Sequence, residues 1–404
     1  MRNILLLSTI YPLPEDNKGT AVCHYFTKEW VKMGYNVLAV HVQAVYPQPF
    51  YWLASIFSKR IAAKTGAVVY TERLKSIEKY IMDDVPVMRV PVYKPIPHSK
   101  FKASAIKKAV KSIVDECRGS SFTPDVVIGH FPNPQIEMLG MLKRAYPHVR
   151  TCCVMHGDIE IMKKVYCERL TALMKDIDVW GFRSKTVQEE FENAVGKVGK
   201  AFICYSGIPE KYITTENVHH FEKPLHSFVY VGEMIERKYP EKLIDALNQV
   251  YPNNDFHLTY IGAGHLIEAI KQKIDRYQLQ QQVSILGCMP RDQIVAEYDK
   301  ADCMVMISRD EAYGLVYLEA MARGCITIAS KREGFDGVIV DGVNGFLCEA
   351  GNESDLVRII KYINKLTAEE RQIISEKAIS TAKRLSDEKA AKMYIDEVMS
   401  RIDF

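Results

Sequence analysis

Glu311 and Glu319 enclose seven residues within SRDEAYGLVYLEAMARGCITIAS, residues 308 to 330. Carboxylates accept hydrogen bonds from hydroxyl groups, so two of them can grip two parts of one polyol. The run CMVMISR reads as a buried strand ending near Ser308. A helix is predicted from Gly314 to Arg323, with Gly324 as its stop. Glu311 therefore falls in a strand-to-helix loop at the carboxyl edge of a sheet, where open α/β sheets bind ligands. Glu319 follows on the face of Leu315, one turn into the helix. The first N–H groups of a helix have no partner within it and suit an anion, so Gly314, Leu315 and Val316 are candidates for a phosphate. A phosphate at the helix mouth with hydroxyls on either side has the layout of a sugar nucleotide. The structural alternative is that both glutamates are solvated helix carboxylates.

The elements that must position these groups repeat along the whole chain. Its 404 residues suit two domains, and 48% hydrophobic residues can fill both cores. Apolar runs such as NILLLST, NVLAVHV, DVVIGH, TCCVMHG, DVWGFRS and AFICY alternate with amphipathic helix-length segments. Runs apolar throughout indicate parallel strands covered on both faces. The polar stretch SGIPEKYITTENVHHFEKPLHS interrupts the series. It reads as a linker, after which FVYVGEM, FHLTYIGAG, VSILGCM, CMVMISR and ITIAS begin a second one. The expected fold is α/β, two Rossmann-like domains facing a cleft. The domains are residues 1–205 and 206–385, and residues 386–404 read as a final helix capped by Ser386.

Four further segments sharpen this reading. VGEMIERKYPEKLIDAL combines a strand, a cation-bearing loop and a helix, and LGCMPRDQI is another strand-end loop. KGTAVCHYFTKEW opens the first helix, and MHGDIE places a histidine after a strand. With DGVNGFLCEAGNESDL and the two glutamates, they resemble glycosyltransferase family 4, of the GT-B fold, along most of the chain. That resemblance implies a retaining hexosyltransferase using a nucleotide diphosphate sugar, acting in surface polysaccharide biosynthesis. It also implies that residues 1–205 bind the acceptor, that residues 206–385 bind the nucleotide sugar, and that the helix over 386–404 crosses back onto the first domain.

The resemblance also implies roles. Glu311 would bind the donor hexose and Glu319 the ribose, while Met289 would lie in the loop beside the base. Arg237, Lys238 and the N–H groups at Gly314, Leu315 and Val316 would stabilise the leaving diphosphate. His156 would reach the donor sugar or the reacting oxygen, with Asp158 in the same loop. Gly19 and Thr20 would bring backbone close to the diphosphate or acceptor. Arg183 and His130, at further strand ends, are weaker candidates, and His130 could equally be structural. Family members commonly carry Arg directly after the glycine of V-G, where this chain has Glu233. Arg237 would then take over part of the charge, or Glu233 would turn away.

No cofactor is implied; the donor expected is a UDP-sugar, with a GDP-sugar second. No metal is implied either, because Asp-x-Asp at a strand end and zinc-ligand spacing are both missing. The ten cysteines show no C-x-x-C pair and read as reduced thiols. MRNILLLSTIYP is too short for a signal peptide and lacks a cleavage site, so a cytoplasmic protein is expected. Charge is uneven: the first 200 residues carry 29 basic and 19 acidic groups, the rest 24 and 31. In the basic half, YPQPFYWLASIFSKRIAAKTG sets aromatics beside cations, and KPIPHSKFKASAIKKAVKSIV holds six lysines. Both fit a peripheral site on the inner membrane face and a glycan or lipid-diphosphate-linked glycan acceptor. The alternative is aromatics in the core with solubilising lysines. Nucleic acid is not expected. Two rivals stay open: a sugar-nucleotide 2-epimerase, and an inactive nucleotide-sugar-binding relic.

Overall fold

The computed structural model describes residues 2–14, 21–65, 70–97, 99–157 and 159–402, with the backbone alone over 58–65. It divides into two units, one of residues 1–62, 67–206 and 387–404, the other of 63–66 and 207–386.

The first unit begins with β1 (Asn3–Ser8), α1 (Val22–Lys32), β2 (Asn36–Val45), α2 (Gln48–Thr65), β3 (Glu78–Met82), β4 (Val85–Tyr93) and α3 (Ala103–Gly119). It continues with β5 (Val126–His130), α4 (Pro132–Ala145), β6 (Arg150–Met155), α5 (Ile159–Tyr166), α6 (Leu170–Met174), β7 (Val179–Phe182), α7 (Lys185–Val195) and β8 (Ala201–Ile203). The sheet order is β3-β4-β2-β1-β5-β6-β7-β8. Seven strands run parallel, and β3 is antiparallel at the edge. The all-parallel expectation fails there because Asp83 and Asp84 take positive φ, +47° and +61°, and turn the chain straight back.

Alternation along each strand builds two cores. Leu5, Leu7, Val40 and Val42 face one side with Ile113, Leu139 and Phe182. Ile4, Leu6 and Ala39 face the other with Phe26 and Trp30 of α1.

The second unit holds β9 (Ser227–Val231), α8 (Pro240–Val250), β10 (His257–Ile261), α9 (Ile267–Tyr277), β11 (Val283–Gly287), α10 (Arg291–Tyr298), β12 (Cys303–Val305), α11 (Leu315–Arg323), β13 (Ile326–Ser330), β14 (Phe346–Cys348), α12 (Glu353–Lys365) and α13 (Ala368–Arg384). Its sheet, β11-β10-β9-β12-β13-β14, is parallel throughout. The loops after β9 and β10 touch. Gly262 has φ +137°, and a Cβ there would lie 2.0 Å from the Gly232 carbonyl oxygen, so only glycine fits.

The last helix, α14 (Asp387–Arg401), belongs to the first unit. Ala391, Tyr394, Ile395 and Val398 fill the core that holds Phe26 and Trp30. Trp30 Nε1 donates to the Ala391 carbonyl oxygen at 2.9 Å. Burying a large apolar side chain is worth about 1.5–3 kcal/mol, so this face ties the C-terminal segment firmly down. Among the described residues no helix is long and apolar enough to cross a membrane. All ten cysteines are free, and only Cys167 and Cys288 are exposed.

Candidate active site

Helix α11 starts at Gly314, which takes φ +84° as its N-cap. A Cβ on Gly314 would come within 2.4 Å of the Tyr317 ring, so side chain and conformation both require glycine. Tyr317 is fixed in turn. Its hydroxyl donates to the Met306 carbonyl oxygen at 2.8 Å and lies 3.1 Å from Ser308 Oγ. The first-turn N–H groups of Leu315 and Val316 sit at the helix mouth, with no acidic side chain in that turn.

Glu311 lies in the loop between β12 and α11, as the sequence predicts. Its N–H donates to Glu333 Oε2 at 2.8 Å, and its carbonyl accepts from the Gly334 N–H at 2.7 Å. A Cβ on Gly334 would lie 2.4 Å from the Glu311 oxygen, so this brace also needs glycine. Burial raises the Glu333 carboxyl above the usual range, against hydrogen bonds from the Glu311 and Asp310 backbones. The Glu311 carboxylate meets Lys238 Nζ directly, in an ion pair that is largely buried. Lys238 ends a short turn, Glu236–Lys238, and Tyr239 then takes φ +48° before Pro240 opens α8. Proline at that position starts a helix with its φ already set.

Arg237 is more exposed. It pairs with Glu233 at 3.8 Å, and its carbonyl accepts from the Arg309 N–H at 2.7 Å. Glu233 thus pairs with the cation expected to replace the family arginine.

Glu319 is only 6% exposed on α11. Arg291 Nε donates to its Oε1 at 2.7 Å. Burial raises the Glu319 carboxyl above its usual range, and Arg291 and Tyr298 pull the other way. Met289 is half-buried in the loop between β11 and α10, two residues before Arg291. The second unit therefore brings together Arg237, Lys238, Glu311 and the α11 mouth, with Glu319 further along the same helix.

In the first unit His130 ends β5 and His156 follows β6. His130 Nδ1 lies 2.9 Å from His156 Nε2, and His130 Nε2 lies 3.0 Å from the Tyr394 hydroxyl. Phe131 has φ +63°, and its ring stacks on His156 at 3.9 Å between centroids. Burial, helped by Arg183, pushes His130 down to about 3. Burial also holds His156 well below the ordinary histidine value, with His130 and Arg183 adding to it. Arg183 is itself buried, donating to the Cys204 carbonyl oxygen at 2.7 Å and to Ser206 Oγ. These contacts knit β7 to the chain after β8. Gly19, Thr20 and Asp158 lie outside the described residues.

Three partners escaped the sequence reading: Arg291, Glu333 and Tyr394. Arg291 follows Pro290 at a helix start, which is a local signal. Glu333 and Tyr394 carry none, because only the fold brings them to Glu311 and His130.

Residues 214–381 match the family model described as "Glycosyl transferases group 1". An uncharacterized glycosyltransferase of Methanocaldococcus jannaschii is 27% identical over 79% of this chain and 88% of its own. An N-acetyl-alpha-D-glucosaminyl L-malate synthase of Bacillus anthracis is 28% identical over 31% of this chain and about a third (32%) of its own length. Among solved structures, a glycosyltransferase from Rickettsia africae superposes with a TM-score of 0.68 at 15% identity, over 99% of this chain and 98% of that one. Anabaena HepE in complex with UDP and glucose gives 0.66 at 16%, over 99% and 100%. These likenesses share the fold. Residues 214–381 of the second unit thus match the glycosyl transferases group 1 model, and the chain has the GT-B fold of these glycosyltransferase structures.

Proposed function

We propose that the protein is a retaining hexosyltransferase of family 4 that takes its sugar from a nucleotide diphosphate sugar. The observation that carries this reading is the pair of anchored carboxylates in the second unit. Glu311 is held beside Lys238 in the loop before α11, and Glu319 beside Arg291 on the helix itself. The diphosphate would lie at the N–H groups of Gly314, Leu315 and Val316, with Lys238 and Arg237 as counter-charges. The hexose would meet Glu311, the ribose Glu319, and the base the Met289 loop. As the bond from the anomeric carbon to the β-phosphate breaks, one to an acceptor hydroxyl oxygen forms on the same face. The hydroxyl proton passes to the departing phosphate oxygen. Charge developing on that phosphate meets preorganised cations and N–H groups, which is where electrostatic catalysis acts. No metal step is required by this set.

UDP is the preferred nucleotide, supported by the fold shared with a UDP complex, and GDP is second. We place the acceptor among glycans or lipid-diphosphate-linked glycans of surface polysaccharide biosynthesis, reached at an anionic membrane surface. Support comes from α2, where Trp52 is 67% exposed and Leu53, Ile56 and Phe57 are exposed beside it, in a basic part of the chain.

The test is a thermal-shift screen of UDP- and GDP-sugars, then turnover with and without EDTA. A sugar nucleotide that stabilises the protein and releases its nucleoside diphosphate, with or without EDTA, supports the reading. Conversion of the donor to its 2-epimer makes it an epimerase, and binding of a sugar nucleotide without turnover makes it a relic.

A further inference from the structure

The three groups Tyr394, His130 and His156 form a hydrogen-bonded row inside the first unit, at 3.0 Å and 2.9 Å. The row spans residues from α14, β5 and the loop after β6, so the last helix of the chain reaches a strand-end histidine.

Proton positions along the row follow from counting donors and acceptors. The Tyr394 hydroxyl is buried among the rings of Phe26, Trp30 and Phe202. Burial holds that phenol well above its ordinary value, so it keeps its proton. Among the described residues the sole hydrogen-bond partner of the hydroxyl is His130 Nε2. A buried O–H without an acceptor costs about 1–3 kcal/mol, so Nε2 must present its lone pair. A neutral imidazole with an acceptor at Nε2 carries its hydrogen on Nδ1. His130 Nδ1–H then donates to His156 Nε2. By the same rule His156 carries its hydrogen on Nδ1.

The reverse order, from His156 Nε2–H to His130 and on to Tyr394, leaves the tyrosine hydrogen without an acceptor. An imidazolium at His130 fails in the same way, and buried Arg183 nearby disfavours a second positive charge. The row therefore runs one way. His156 Nδ1 has no hydrogen-bond partner among the described residues and the residue is half-buried, so its N–H is left for a ligand.

We propose that Tyr394, acting through His130, fixes His156 as an Nδ1–H donor to a sugar or phosphate oxygen of the substrate, and so excludes it as a base at that nitrogen. Tyr394 and His130 are positioning residues; His156 alone touches the substrate. The substrate role rests on the transferase reading above, whereas the tautomer does not.

Two measurements separate these parts. Long-range ¹H–¹⁵N correlation spectra of histidine-labelled full-length protein read the tautomer directly, with His156 assigned through the His156→Asn spectrum. The expected pattern is a protonated Nδ1 and a bare Nε2 on both His130 and His156. Tyr394→Phe keeps the ring packing but removes the hydroxyl, and should give a mixture of tautomers. A protonated Nε2 on His156 in the native protein overturns the proposal, as does a Tyr394→Phe spectrum unchanged from the native one. The second measurement is steady-state turnover with the best sugar nucleotide. His156→Asn places an amide N–H where Nδ1–H stands, and His156→Gln places one at the far end. Asn should retain roughly tenfold more kcat/KM than Gln, the scale of one hydrogen bond. Gln equal to or better than Asn overturns the donor role. A protein without transferase activity but with the expected spectra fails the functional reading and leaves the tautomer assignment intact.

Discussion

Arg291 Nε donates to Glu319 Oε1 at 2.7 Å, so the buried carboxylate of α11 is met by a cation from the start of α10. Two helices that follow different strands are thereby coupled at one side chain. The guanidinium also lies 4.9 Å from the centroid of the Tyr212 ring, which fixes its plane. A carboxylate held this way is presented in one orientation, as a ribose diol would need.

The first prediction is a pH dependence of donor binding. Burial raises the Glu319 carboxyl, so it takes up a proton at a pH where exposed carboxylates are still ionised. The ionised form is the better acceptor for two hydroxyls. UDP-sugar affinity should therefore weaken as pH falls through the raised value and be fully present above it. Calorimetric titration between neutral pH and pH 5 reads this directly. Glu319→Gln should bind more weakly, by about 1–3 kcal/mol, and lose the pH dependence. Equal slopes for both proteins would remove Glu319 from the ribose site.

A second prediction concerns Lys238 and Glu311. Each neutralises the other in a largely buried pair, so deleting one strands a charge. Glu311→Ala should lower turnover by roughly 10²–10³ if its contact strengthens in the transition state. It should also lower stability by about 3 kcal/mol, the scale for a broken buried pair. Glu311→Gln keeps an acceptor near Lys238 and should recover most of the stability but not the rate. Lys238→Ala should reduce kcat more than Glu233→Ala does, because Glu233 and Arg237 form a looser, exposed pair. Thermal melts beside kinetics separate the two effects; wild-type kinetics in both Glu311 variants would dismiss the site.

Glu333 supports a third. Its carboxylate accepts the Glu311 N–H and holds the loop in place. Glu333→Gln retains an acceptor and should keep kcat/KM within about twofold, while Glu333→Ala should lose roughly tenfold. Equal losses in both would mean that the charge matters and the hydrogen bond does not.

Much of this site was legible because local patterns carried it. NILLLST, DVVIGH and CMVMISR read as buried strands, and each holds a parallel strand, with Glu311 in the loop after the last of them. Gly314 and Gly324 were legible as helix ends and both take positive φ. β4 was not. VPVMRVPVY contains Pro86 and Pro91, alternates buried residues with the exposed Pro86 and the half-buried Arg89, Pro91 and Tyr93, and pairs on one side with an antiparallel edge strand. The turn residues Asp83 and Asp84 were the signal that could have revealed it. Partnerships lie beyond any local pattern. Lys238 and Glu311 are 73 residues apart, and His130 and Tyr394 are 264 apart. Only strand order decides which strand ends become neighbours, and the sequence constrains order weakly.

The aromatic run of α2 was read as one cluster, and the structure splits it, which shapes the last prediction. Tyr51 is buried and its hydroxyl accepts the Tyr46 N–H at 3.1 Å, anchoring the helix to the end of β2. Phe50 is half-buried against Tyr46 and Tyr51. Trp52, Leu53, Ile56 and Phe57 are left exposed, an apolar face with Lys59, Arg60 and Lys64 next in sequence. An apolar face flanked by cations partitions into the headgroup region of anionic bilayers, each cation adding about 1 kcal/mol. Co-sedimentation with vesicles of anionic lipid should therefore capture the protein at low salt and release it as salt rises, because the charge component is screened. The double variant Trp52→Ala, Phe57→Ala should bind more weakly at every salt concentration while keeping its melting temperature, since neither side chain is buried. Tyr51→Phe should cost stability but leave vesicle binding unchanged. Absence of sedimentation at low salt would leave a soluble glycan as the acceptor.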